Sequence, residues 1–190
     1  MLPEISLNVL DIAENSVKAG ATCVEIDVTV SAANSRLTIR IADNGCGMDA
    51  EQLTHVTDPF FTSRKTRKVG LGVPFFKQAA EITGGSFDIQ STPGVGTVVT
   101  AAFCTDSIDC MPVGNLNDTI SSLVLMNETI RFVYRYTTDS SGFVLDTDEF
   151  HAELGPEVSF AEPEVTAFIR EYLMMNTAEA DEAAVSGSIE

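Results

Sequence analysis

The sequence predicts a two-layer α/β sandwich whose sheet is mixed and mostly antiparallel, with a small α/β appendage at its C-terminal end. Three observations point to it. The chain opens with an amphipathic helical segment. Two pairs of alternating apolar segments follow, each pair joined by a short turn. A second helical segment, entered through glycines, separates the pairs.

From Ile5 to Ala19 the apolar positions Ile5, Val9, Leu10, Ile12, Ala13 and Val17 recur at helical spacing, and Gly20 ends the helix. "TCVEIDVTV" then alternates strictly, with Val24, Ile26, Val28 and Val30 on one face, and "RLTIRIAD" repeats the pattern through Leu37, Ile39 and Ile41. "SAANS" between them is a turn, so the two strands form a hairpin. "MDAEQLTHV" predicts a short helix and residues 73–82 another, closed by Gly84 and Gly85. "SFDIQS" and "GTVVTAAF" are strands joined by the turn "TPGVG".

Net charge divides the chain. Residues 1–105 hold 11 acids and 8 bases, whereas residues 106–190 hold 17 acids and 3 bases, so nearly all of the net charge of −17 sits in the second part. An acidic surface of this size repels phosphate backbones and argues against a nucleic-acid partner. The break predicts three regions: a main domain over 1–105, an acidic appendage over 106–175 and a disordered acidic tail over 176–190. No apolar run approaches the ~20 residues of a membrane span, and the N-terminus lacks the basic start of a secretory signal. Cys23, Cys46, Cys104 and Cys110 show no metal-like spacing, which fits unpaired thiols and a cytoplasmic location.

The chemistry-bearing residues fall in four places. On the first helix Asn8, Asp11, Asn15 and Lys18 share one polar stripe, with Asp11 and Asn15 as i,i+4 neighbours and Glu14 at its edge. "DNGCGM" at 43–48 puts Asp43 at a strand end facing a cleft, where Gly45 and Gly47 leave room for a planar ligand. "DPFFTSRKTRKVGLGVPFF" packs Arg64, Lys65, Arg67 and Lys68 just before Gly70 and Gly72, which introduce a helix. Free N–H groups at that helix end, beside a basic cluster in an acidic chain, describe an anion site. The fourth place is "TPGVGT", which ends at Thr97.

In this order the four boxes resemble the GHKL ATPase superfamily of gyrase-type topoisomerases, a heat-shock chaperone, sensor histidine kinases and mismatch-repair ATPases, over about residues 5–104. "LDIAENSVKAGAT" is similar to the N box, "DNGCGM" to G1, "DPFFTSR" to the histidine-kinase F box and "VGLGVPFF" to G2. The resemblance implies the Bergerat fold, with ATP between sheet, helices and lid. It implies that Asp43 accepts from the adenine amino group, that Gly45, Gly47 and Met48 border the purine, and that Thr97 helps at its edge. Asn15 would bind Mg²⁺; Gly70, Leu71 and Gly72 would offer backbone N–H groups to phosphate, with Arg64, Lys65 and Lys68 beside them.

In hydrolysing members a glutamate four residues before the magnesium asparagine orients the attacking water. Here that position is Asp11, so the catalytic carboxylate is one methylene shorter, and Glu14 is a flanking residue. The N box begins within the first ten residues, which leaves no room before it for a phosphoacceptor hairpin; a kinase of this kind would need its acceptor on another chain. His55 and His151 match no acceptor motif.

Beyond residue 106, "LNDTISSLVLM" reads as a helix, "TIRFVYRYTT" and "GFVLDT" as a hairpin, and "TDEFHAEL" and "PEVTAFIREYLMM" as short helices. This part resembles the C-terminal region of small bacterial ATP-binding proteins found with iron-only hydrogenase or NADH-dehydrogenase-like components. Two expectations follow: a kinase or slow ATPase acting with a protein partner, or an ATP-sensing module that regulates a complex without turnover.

Overall fold

The computed structural model describes residues 4–57, 71–155 and 158–187. Its elements are α1 (Ile5–Lys18), β1 (Cys23–Ser31), β2 (Arg36–Asp43), α2 (Ala50–Val56), α3 (Gly72–Ile82), β3 (Ser86–Thr92), β4 (Gly96–Cys104), α4 (Leu116–Met126), β5 (Arg131–Thr138), β6 (Gly142–Asp146), α5 (Thr147–Leu154) and α6 (Pro163–Gly187). The strands form one sheet in the order β3-β4-β2-β1-β5-β6, antiparallel except where β1 meets β5.

Alternation sorts the two faces. Val24, Ile26 and Val28 of β1, Leu37, Ile39 and Ile41 of β2, and Val99, Ala101 and Phe103 of β4 are buried in the core that the helices cover. The opposite face carries Glu25, Asp27, Arg40 and Arg135, where Arg135 donates to Asp27 at 2.8 Å and to Glu25 at 2.9 Å. α1 lies at the centre of the helical layer, with α3 on one side and α4 on the other, and α4 packs on to α6.

The sheet runs across the charge boundary near residue 106. β5 pairs with β1 over Cys23↔Arg131 to Val30↔Thr138, so the predicted appendage extends the same sheet and shares one core. The physical reason is the free edge of β1: its second row of backbone donors and acceptors is satisfied by β5. Charge composition reports on surfaces and does not see this edge.

The tail differs as well. Residues 176–187, read from composition as disordered, continue α6. Ala180 is buried, its carbonyl accepts from Thr138 Oγ1 at 3.2 Å, and Tyr136 OH donates to Asp181 Oδ1 at 2.7 Å. Alanine and glutamate are strong helix formers, and the end of β5 gives the helix something to hold.

The segment before α4 also acts on α1. Pro112 and Val113 accept from the backbone N–H groups of Ile5 and Ser6 at 3.0 and 2.8 Å, replacing the side-chain cap that Glu4 does not provide. Asn8, expected on the open polar stripe, is buried beneath this segment, with its amide near the Glu4 carbonyl and Met111 Sδ. The polar stripe therefore begins at Asp11.

Candidate functional site

Between α1, the start of α3 and the β2-β4-β3 end of the sheet lies a cavity of about 230 Å³. Its apolar walls are Ile12, Ile41, Val73, Ile89 and Val99, and the candidate residues Asn15, Asp43, Gly47, Met48 and Thr97 all line it. The floor follows from register. Asp43 on β2 is directly opposite Thr97 on β4, and Thr97 is directly opposite Ser91 on β3. Three polar side chains thus stand in one row on the helix-facing side, two residues beyond the apolar row Ile41, Val99 and Ile89.

Each polar group in that row is held. The Asp43 carboxylate accepts from Ser16 Oγ at 2.7 Å and from Gly45 N at 2.9 Å, so both its oxygens are oriented while lone pairs remain for the cavity. The turn after Asp43 is anchored from outside: Asn44 Oδ1 accepts from the backbone N–H groups of Thr22 and Cys23, each at 2.9 Å. Gly47 sits at φ +63°, and a Cβ there would meet the Thr92 carbonyl oxygen at 2.0 Å. The glycine is demanded by the β3–β4 turn packed behind it, in addition to any space it leaves at the cavity.

α1 presents Asn15 to the cavity, and Asp11 lies one turn earlier on the same helix. Asn15 has no side-chain hydrogen bond among the described residues, so its amide oxygen is available to a ligand. Asp11 lies against the entrance of α3: a Cβ on Gly72 would come within 2.9 Å of Asp11 Cβ and 3.3 Å of Oδ2. Burial pushes the Asp11 carboxyl above its ordinary value, the Glu14 carboxylate adds to this, and Lys18 opposes both. Glu14 itself points to solvent and pairs with Lys18 at 2.9 Å. Leu71 is the N-cap residue of α3, and no side chain among the described residues caps that helix, whose first N–H groups lie at its positive end.

The free carboxamide of Asn15, the oriented acceptor row at Asp43 and Thr97, and Val73 in the first turn of α3 line one cavity, and Asp11 packs against Gly72 beside it. This arrangement suits a ligand with an anionic end and a flat apolar body that carries a hydrogen-bond donor. Residues 4–106 match the family profile described as "Histidine kinase-, DNA gyrase B-, and HSP90-like ATPase". The chain belongs to this ATPase family. Its similarity to curated proteins is of the same kind. It is 35% identical over 103 residues to a "Putative sensor protein" of Shewanella frigidimarina (strain NCIMB 400), covering 54% of this chain and 15% of that protein. It is 30% identical over 93 residues to "Sensor histidine kinase YvrG" of Bacillus subtilis (strain 168), covering 47% of this chain and 16% of that one. The chain thus spans about a sixth of the length of these relatives. Among solved structures it is similar to "Aquifex aeolicus MutL ATPase domain complexed with ADP", with a TM-score of 0.49 and 15% identity, over 77% of this chain and 64% of that one.

In this histidine kinase-related ATPase domain, Gly45 donates to Asp43 of the cavity wall and Gly72 packs on Asp11 outside that lining, while Arg64, Lys65, Arg67, Lys68, Gly70 and the "DPFFTSR" box lie outside the described residues. Sequence reasoning passed over Ser16, Ser91 and Asn44. Ser16 adjoins Asn15 in the same box, but its burial at 3% exposure depends on the turn of Asp43 toward α1. Ser91 could have been found only from strand register. Lys18, part of the polar stripe, also lines the cavity. No helix among the described residues is long and apolar enough to cross a membrane.

Proposed function

We propose that this ATPase domain binds Mg·ATP in the cavity between α1, α3 and the β2-β4-β3 row, and acts as a kinase-like regulatory protein on a protein partner in the cytoplasm. The observation that carries the reading is the placement of Asp43 and Thr97 side by side in the cavity wall, with Asn15 and Val73 of the first turn of α3 lining the same cavity. The adenine amino group would donate to Asp43, the purine would lie between Ile41, Val99 and Met48, and the phosphates would meet the N–H groups of α3 and the basic residues Arg64, Lys65, Arg67 and Lys68.

The donor set suits magnesium carried in by the nucleotide. Among the described residues no group of three or more His, Cys, Asp or Glu could hold a metal ion, whereas one free carboxamide oxygen at Asn15 suits a hard cation that keeps waters and takes phosphate oxygens. When bound, Mg²⁺ neutralises developing charge on the transferred phosphoryl group. Asp11, one turn from Asn15, would accept a proton from a water or an acceptor hydroxyl.

A second reading, ATP sensing without turnover, is favoured by one feature: the residue four before Asn15 is the short Asp11, pressed against Gly72. One experiment separates the readings. The full chain is incubated with γ-labelled ATP and host lysate, with and without Mg²⁺. A labelled partner indicates a kinase and free phosphate an ATPase. Tight Mg-dependent binding by calorimetry without either indicates a sensor, and absence of ATP binding rejects both readings.

A further inference from the structure

α6 buries one row of side chains and leaves a second apolar row in the open. Val165, Ile169, Leu173 and Ala180 belong to the core. Phe168, Tyr172 and Met175 follow one another at four- and three-residue spacing and form a separate stripe along the helix. Phe168 is 49% and Met175 60% exposed, although aromatic and methionine side chains are the ones that dominate cores and binding surfaces. The stripe is continuous with α5. Phe150 packs against Phe168 at 5.8 Å and against Tyr172 at 5.4 Å, and the Tyr172 hydroxyl donates to the Val144 carbonyl of β6 at 2.9 Å. These contacts hold the Phe168 and Tyr172 rings in place and leave Phe168 open to solvent.

The charges around the stripe have one sign. Glu164, Glu171 and Glu179 stand on it, four residues before Phe168, three after it and four after Met175, and all three are exposed. The acids of α5 reach the same place: burial first, and then the Glu149 and Glu153 carboxylates, raise the Tyr172 phenol above its ordinary value. Arg170 is the one arginine of α5 and α6, which have no lysine, and at two residues from Phe168 it lies off the stripe. We infer that this α5–α6 face docks a basic amphipathic helix of a partner protein, which seats its apolar side chains on Phe168, Tyr172 and Met175 and its lysines or arginines against the carboxylates beside them. Aromatic anchors inside a charged rim suit that occupant. The same charges reject others. A second copy related by a twofold axis would set the acidic rim against itself, and anionic lipid or nucleic-acid phosphate would be repelled. The face lies at the β6 end of the sheet and the nucleotide cavity at the β2-β4-β3 end, so the inference does not rest on the nucleotide reading.

The probe is a synthetic leucine–lysine peptide whose leucines recur at i, i+3, i+4 and i+7, added to the full chain and followed by calorimetry and by backbone amide chemical shifts. It should bind, with the shifts concentrated at residues 149–154 and 168–175. A peptide of the same composition with its leucines spread around the helix, and one with glutamate for lysine, should each bind at least ~tenfold more weakly. Met175→Ala and Glu171→Lys, both at exposed positions, should each weaken the first peptide about three- to tenfold. Asp106→Asn combined with Asp109→Asn, on the exposed loop after β4, should leave it unchanged. Phe168→Ala should weaken it as well; if losing the contact with Phe150 unfolds that variant, Met175→Ala and Glu171→Lys carry the test. Shifts on another face, equal binding of the spread-leucine peptide, or an equal effect of the loop pair would show only attraction to the net charge of −17 and overturn the inference. Absence of binding overturns it too, as does dimerisation of the chain that Met175→Ala abolishes, which would assign the face to a second copy.

Discussion

Asp11 on α1 and Gly72 at the start of α3 are in contact, so closely that a methyl group on Gly72 would stand 2.9 Å from Asp11 Cβ. Asp11 is turned toward the helix entrance, while Glu14 reaches outward to Lys18.

Phosphate chemistry should therefore follow Asp11. Asp11→Asn keeps shape and removes the base, so nucleotide affinity should change little while turnover falls by about 10²–10⁴. Glu14→Gln should leave turnover near wild type. Because burial raises the Asp11 carboxyl, it protonates at a higher pH than an ordinary aspartate, and turnover should fall on the acid side correspondingly early. Steady-state pH profiles of the three proteins check this; loss of turnover in Glu14→Gln but not Asp11→Asn would reverse the assignment.

Base recognition should follow Asp43. Losing a buried hydrogen bond to a charged acceptor costs about 1.5–3 kcal/mol, so Asp43→Ala should weaken ATP at least ~tenfold. Ser16→Ala should have a smaller effect of the same kind, since it only releases one oxygen of that carboxylate. Equal affinity of the wild type for ATP and GTP would contradict the assignment.

Gly47→Ala should destabilise the fold as well as the site. A Cβ at φ +63° would meet the Thr92 carbonyl at 2.0 Å, which forces the turn apart. Strain of about 1–3 kcal/mol is expected, enough to lower Tm by several degrees. An unchanged melting temperature would show that the turn relaxes without cost.

Asp146 ties the second half of the chain together. It caps α5 through the Asp148 N–H at 3.1 Å and accepts from Arg131 Nε at 3.0 Å, and its hydrogen bond with Arg131 holds its carboxyl below the ordinary value. A depressed carboxyl contributes stability that is present above its unfolded value of 3.8 and disappears as pH falls through the folded one. Asp146→Ala should cost roughly 1–2 kcal/mol at neutral pH, chiefly as a lost cap, and the variant should lose less stability on acidification than wild type in denaturant titrations.

Asn15→Ala should remove the Mg²⁺ dependence of ATP binding. Neutralising Arg64, Lys65, Arg67 and Lys68 should weaken ATP more than ADP, and ADP more than adenosine, because charge on the segment acts on phosphate. Calorimetry across the three ligands decides it: if all weaken alike, the basic segment has no contact with the phosphates.

Much of this protein was legible from residue order because the responsible physics is local. Alternation in "TCVEIDVTV" and "RLTIRIAD" determined β1, β2 and the faces they bury; helical spacing determined α1; and four boxes in sequence order pointed to Asn15, Asp43, Gly47, Met48 and Thr97, all of which line one cavity. Tertiary structure alone decided what depends on partners distant in sequence. The free edge of β1 recruited β5 and carried the sheet past the charge boundary. The end of β5 held residues 176–187 in α6, and the segment at 112–113 buried Asn8. Strand register placed Ser91 behind Thr97, and the α1–α3 crossing pressed Asp11 against Gly72. Periodicity tells which face of an element is apolar, but a hydrogen bond or a close approach between elements exists only once packing has fixed both of them in space.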